Sequence, residues 1–134
     1  MIRVVITDDH KEVRAAWNIF LNRFEHILVV ASCSDGAEAV RAVEELQPDI
    51  VLMDINMEGM SGIEATKIIC GQWPDVKVIG VSVHGAWTYM EKMFEAGARG
   101  YVTKPSIANE LINAISEVAR GNTYICEELR AKAM

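Results

Sequence analysis

Apolar positions along this chain keep two alternating rhythms. Short β-branched runs at Ile2 to Thr7, Ile27 to Cys33, Ile50 to Met53, Val76 to Ser82 and Gly100 to Thr103 predict strands, and the middle ones are nearly all apolar, as when both faces of a sheet are covered. Between them, Val13, Ala16, Trp17, Phe20, Leu21 and Phe24 hold the i, i+3, i+4, i+7 spacing of a helix with one buried stripe. Asp35 with Glu38, and Ser61 with Glu64, have the spacing of capping boxes and open helices of about 12 residues that close near Pro48 and Pro74. Met90, Met93, Phe94 and Gly97 mark a fourth helix. Leu111, Ile115, Val118 and Ala119 mark a fifth, which ends at Gly121, and the tail from Asn122 to Met134 has room for a further helical turn or two.

Five β-α units with crossovers of this length predict an α/β fold, a doubly wound five-stranded parallel sheet with helices on both faces. By analogy with flavodoxin-like folds the expected strand order is 2-1-3-4-5. A chain of 134 residues suits one domain with a real core, expected over residues 1–121, with 122–134 a C-terminal extension or the start of a linker.

Composition then removes several classes of function. No apolar run approaches the ~20 residues of a membrane span and the first residues do not form a signal peptide, so a cytoplasmic protein without membrane contact is expected. Cys33, Cys70 and Cys126 are odd in number and widely spaced, which fits buried thiols rather than a disulfide framework or a zinc knuckle. Nineteen acidic against thirteen basic residues give a formal charge of −6, which would repel a phosphate backbone, so this chain is not expected to bind nucleic acid directly.

In an open α/β sheet, ligands sit beyond the carboxyl ends of the strands. Four of the five predicted exits carry chemistry: Asp8 and Asp9 after the first strand, Asp54 after the third, Ser82 after the fourth, and Thr103, Lys104 and Pro105 after the fifth. Singly, each has an ordinary explanation as a helix cap, a rim hydroxyl or a solvated charge. Together, three carboxylates at one sheet edge repel one another and take up protons unless a cation lies between them. Mg²⁺ suits such oxygen ligands and commonly brings phosphate oxygens with it, which the Ser82 hydroxyl and the Lys104 ammonium can meet.

With Asp8-Asp9, Asp54 to Met57, Gly62, Ser82 and Lys104-Pro105 in this order and spacing, the chain resembles a CheY-like response-regulator receiver of two-component systems. Val83-His84-Gly85, Gly97 to Tyr101 and Ala119-Arg120-Gly121 are similar to receivers of the NarL/FixJ class that precede a LuxR-type DNA-binding domain. The resemblance implies that Asp54 is the phosphoacceptor and that Asp9 and Asp54 are metal ligands, with Asp8 acting directly or through water and the Asn56 backbone carbonyl completing the set. It also implies a cis peptide before Pro105. A sensor histidine kinase is the implied phosphodonor, homodimerisation on phosphorylation and transcription control through an output domain the implied consequences. The chain is then a phosphoacceptor switch rather than an enzyme. Phosphorylation is expected to draw Ser82 inward and open space into which the Tyr101 ring turns, so that the fourth helix and fifth strand present a new surface.

Two positions depart from the family pattern: Glu58 stands where proline usually follows the Met, and Val83 stands where a small residue often follows the switch hydroxyl. Neither removes a required group. His10 and His84 fall near the acidic rim, where a transition metal could recruit them. The plainer reading makes His10 the exposed start of the first helix, His84 a residue lining the entry to the phosphoryl site, and His26 a loop residue. The alternatives left open are a stand-alone receiver acting through protein contacts and, disfavoured, a haloacid-dehalogenase phosphatase. That phosphatase needs D-x-D, and His10 stands two residues after Asp8.

Overall fold

The computed structural model describes residues 1–83, 87–104 and 107–132. Strands and helices alternate throughout as β1 (Ile2–Thr7), α1 (Lys11–Leu21), β2 (Ile27–Cys33), α2 (Gly36–Leu46), β3 (Ile50–Asp54), α3 (Gly62–Gln72), β4 (Lys77–Ser82), α4 (Trp87–Ala96), β5 (Gly100–Thr103), α5 (Ile107–Ala119), β6 (Tyr124–Ile125) and α6 (Glu127–Lys132). The strands form one parallel sheet in the order β2-β1-β3-β4-β5-β6. The five expected strands and their order are present, and a sixth, two residues long, is added beyond β5.

Local chemistry sets the helix ends. The Asp35 carboxylate accepts from the Glu38 N–H at 2.8 Å, and Glu38 Oε2 in turn accepts from the Ser34 N–H at 3.0 Å. Ser61 Oγ accepts from the Glu64 N–H at 3.2 Å. Each such cap stabilises its helix by about 1 kcal/mol. Helix α5 closes where the Asn122 N–H reaches the Glu117 carbonyl and the Gly121 N–H the Val118 carbonyl, the paired bonds of a Schellman motif.

All residues of β3 and β5 are buried, as are Val4 to Thr7 of β1 and Val78 to Ser82 of β4, which is why these segments read as continuous apolar runs. Helices α4 and α5 cover opposite faces. A methyl added at Gly80 would meet Met93 of α4, while one added at Gly100, on the other face, would meet Val118 of α5. Because β4 to β5 and β5 to β6 step the same way across the sheet, the two crossovers have opposite hands, and one departs from the right-handed rule that ~98% of such units obey. Among the described residues no helix is long and apolar enough to cross a membrane. Cys33 and Cys126 are buried and Cys70 half-buried, all free thiols, and burial pushes Cys33 up to about 11.

The segment after α5 is packed, with Cys126 and Leu129 fully buried in the same core as the sheet. The Glu110 carboxylate of α5 holds it: Oε1 accepts from the Tyr124 hydroxyl at 2.5 Å and the Glu127 N–H at 2.9 Å, and lies 3.6 Å from the Arg130 guanidinium. Arg130 also stands over the Tyr124 ring at 5.6 Å. Substituting Glu110→Ala should cost about 1–3 kcal/mol and raise amide hydrogen exchange across residues 124–132, with the strands at the acidic edge unchanged. Wild-type exchange in that segment would mean that burial of Cys126 and Leu129 alone holds it down.

Candidate functional site

The parallel register delivers the predicted residues to one edge. Thr7 pairs with Met53, Asp54 with Val81 and Ser82 with Thr103, so the strand exits lie side by side. Asp8 and Asp54 are buried together with Ser82 and Thr103, whereas Asp9 is exposed. Gly62, at the start of α3, allows the β3–α3 loop to fold back onto the site. Its N–H donates to the Ile55 carbonyl at 3.1 Å, and a methyl there would fall 2.1 Å from the Asp54 carbonyl oxygen.

Lys104 enters from the end of β5, its Nζ 2.7 Å from Asp8 Oδ2 and 3.7 Å from Asp54 Oδ2. His10 approaches from the other side, its Nδ1 3.0 Å from Asp8 Oδ1 and 2.9 Å from Asp9 Oδ1. The expectation of an exposed histidine at the start of the first helix holds for its position, at the N-cap with a side chain 63% accessible, but the ring leans into the acidic group. Burial, then the neighbouring charge of Asp8, pushes the Asp54 carboxyl up from 3.8 to about 6, against the pull of Lys104. Asp9 adds to the upward push, and a hydrogen bond from the Asn56 backbone opposes it. The Asn56 side chain is exposed.

Asp8, Asp9, His10 and Asp54 each offer one ligand atom, all within 4.8 Å of one another, so the cluster is able to hold a metal ion. Buried carboxylates with hard oxygen donors suit a divalent cation, which would offset both the desolvation and the repulsion that raise Asp54.

Two contributors escaped the sequence reading. Arg14 Nη1 donates to the Asp8 backbone carbonyl at 2.6 Å, and the Trp17 ring lies 6.0 Å from Lys104 Nζ, near enough for a weak cation–π attraction. Both follow His10 along α1, at i+4 and i+7; Trp17 was read only as core periodicity and Arg14 was not singled out.

Tyr101 is fully buried, its ring beside Gly80, where the missing side chain leaves the space: an added methyl would come within 3.1 Å of the ring. Burial pushes the Tyr101 phenol up while the Ser82 hydroxyl beside it pulls it down, yet the two hydroxyls do not close a hydrogen bond of ordinary geometry. Strand β5 is also not an edge, because β6 covers it. On α4, Met90 and Met93 are core and Trp87 is 38% exposed, while Val83 is 56% exposed at the rim. His84, Pro105 and the peptide before Pro105 lie outside the described residues.

Residues 4–116 match the family described as the response regulator receiver domain. The transcriptional regulatory protein DegU of Brevibacillus brevis is 41% identical over 92% of this chain and 52% of its own length. The transcriptional regulatory protein LiaR of Bacillus subtilis is 40% identical over 100% of this chain and 64% of its own length. The chain thus spans between about half and about two thirds of these relatives. Among solved structures, a LuxR-family two-component response regulator from Aurantimonas sp. SI85-9A1 superposes with a TM-score of 0.94 at 35% identity, over 98% of this chain and 94% of that one.

A carboxyl that keeps its proton up to about pH 6 when folded, but only to 3.8 otherwise, makes its ionised form a cost to the fold. Below pH 3.8 the group is neutral in both states and the cost is absent; it grows through the interval and is complete above about 6, on the order of 2–3 kcal/mol. In EDTA, Asp54→Asn should therefore unfold at a higher temperature than the wild type at about pH 7.5, with the difference closing toward about pH 4. Scanning calorimetry across that range checks this, and a pH-independent difference would place the repulsion elsewhere.

Proposed function

Because the chain belongs to the response regulator receiver domain family, we propose that Asp54 is its phosphoacceptor and that the acidic cluster works with Mg²⁺. The observation that carries this is the position of Asp54: a buried carboxylate at a strand exit, beside Asp8 and 3.7 Å from the Lys104 ammonium. A group pushed up to about 6 is mostly ionised at neutral pH, so it is a competent nucleophile.

Asp9, Asp54 and the Asn56 backbone carbonyl would hold Mg²⁺, with Asp8 direct or through water. The ion supplies neutralisation of the phosphoryl oxygens. An Asp54 carboxylate oxygen attacks the phosphorus of a phosphohistidine on a sensor histidine kinase, the P–N bond breaks, and the imidazole leaves. Lys104 needs only a short shift from Asp8 to pair with a phosphoryl oxygen on Asp54, and the Ser82 hydroxyl at the neighbouring exit donates to another. No side chain is assigned to turnover of a further substrate: the chain is a switch.

Reversing a two-state equilibrium from about 1:99 to 99:1 takes roughly 5.5 kcal/mol, which several charge-assisted contacts at ~1.5–3 kcal/mol supply. The receiver in this reading extends through the packed segment that ends in α6. A LuxR-type DNA-binding output follows it in the full-length protein, a reading supported by relatives named transcriptional regulatory proteins and by the LuxR-family name of the similar solved structure. The consequence is control of transcription in the cytoplasm, by dimerisation or release of that output, with no direct DNA contact from this acidic chain.

Acetyl phosphate or phosphoramidate with Mg²⁺ should add one phosphoryl group, absent in Asp54→Asn and in EDTA. Intact-mass spectrometry reads this directly, and full labelling of the Asn variant would overturn the assignment.

A further inference from the structure

Lys104 carries a positive charge that the fold has largely taken out of water. Its side chain is 18% accessible, and its ammonium lies 2.7 Å from Asp8 Oδ2 and 3.7 Å from Asp54 Oδ2. A third neighbour is of another kind: the ammonium stands over the Trp17 indole, 6.0 Å from the ring centroid. Trp17 is itself 6% exposed, so water screens little of that attraction.

The two kinds of partner differ in what they permit. A carboxylate oxygen holds an ammonium by a short, directional bond, and both carboxylates also belong to the cluster able to hold a metal ion. The indole is neutral, its face attracts a cation over a broad area, and a metal ion that takes the carboxylates leaves it available to the lysine. Its place is fixed from two sides. Trp17 is part of the core, and Arg14, one turn earlier on α1, donates to the Asp8 backbone carbonyl at 2.6 Å and ties that helix to the acidic loop.

We propose that Trp17 is a positioning residue for Lys104: the ring keeps the ammonium inside the acidic edge while it passes from Asp8 to a phosphoryl oxygen on Asp54, and so helps set how fast Asp54 takes up the group. This rests on the phosphoacceptor reading of Asp54. An ammonium that lets go of Asp8 can turn toward the phosphoryl group or out into water, and its flexible four-carbon stem does little to choose between them. A neutral ring beside it favours the inward course, because its attraction is nearly the same at both ends of a short movement. Core packing alone would be met by any apolar side chain of similar size. The negative face of the ring matters only to the cation over it.

Tryptophan analogues with successive ring fluorines, placed at position 17 alone by nonsense suppression, keep nearly the same shape while withdrawing negative charge from the ring face. In EDTA, urea unfolding should show the most fluorinated ring lowering the folding equilibrium constant by about two- to fivefold, relative to the same change made in Lys104→Met. With Mg²⁺ and phosphoramidate, the rate of Asp54 phosphorylation, read by intact-mass spectrometry, should fall stepwise along the series to a similar extent. An equal effect of fluorination with and without Lys104 would overturn the proposal, since Trp17 would then only fill the core. So would a rate that is flat or rises along the series. A wild type that takes no phosphoryl group removes the phosphoacceptor reading and the positioning role with it, whereas a phosphorylated wild type with a flat series removes the positioning role alone.

Discussion

Asp8 and Asp54 are held at the same end of a parallel sheet with almost no water around them, and like charges so placed repel unless something positive lies between. The strands leave them no escape. Both follow directly on buried strand residues, Thr7 and Met53, that pair with each other in register, so the backbone cannot splay to separate the carboxylates. Strain of this kind persists only where the surrounding packing over-determines it. The protein divides the load: Lys104 takes one oxygen of Asp8 and leans toward Asp54, while His10 faces the other oxygen and Asp9. Burial, together with the repulsion that remains, raises the Asp54 carboxyl, and a cation beside it would favour its ionised form.

That edge was legible in the sequence because burial and chemistry happen to coincide there. A strand covered on both faces reads as a continuous apolar run, and a charged residue ending such a run has to stand at an exit, which is where Asp8, Asp54 and Lys104 stand. The capping boxes of α2 and α3 were equally legible, because a side chain that bonds the backbone three residues on is a local event. Periodicity was a weaker guide. It put Ala16 in the stripe of the first helix, where it is exposed, and carried that stripe to Phe24, which lies past the end of α1 and instead stacks edge-on against Phe20 at 5.5 Å. Nor does a stripe say which of its members faces a site, so Trp17 read as core alone although its ring approaches Lys104.

The sixth strand was hidden for a different reason. Two residues give no alternation to read, and a parallel return of the unusual hand is what the rules of crossover discard first. Its hold comes from side chains on other elements: Glu110 a turn into α5, and the burial of Cys126 and Leu129, which nothing in the run Asn122 to Met134 announces on its own.

Strand β5 consequently ties the two ends of the molecule's chemistry together. It leads directly into Lys104, and its Tyr101 carbonyl accepts from the Cys126 N–H at 3.0 Å on its far side. A displacement of β5 that followed Lys104 toward Asp54 would have to carry β6 with it or break that pairing. Breaking it costs about 0.5–1.5 kcal/mol for each backbone hydrogen bond, and exposing Leu129 adds roughly 1.5–3 kcal/mol. Those costs are comparable with what one or two charge-assisted contacts at the acidic edge supply. Carrying the segment along is therefore the less expensive course, and it moves α6, the last described element before the chain's end. A parallel strand that is four residues long and paired on both sides transmits a shift of one neighbour to the other because it has no slack to absorb it.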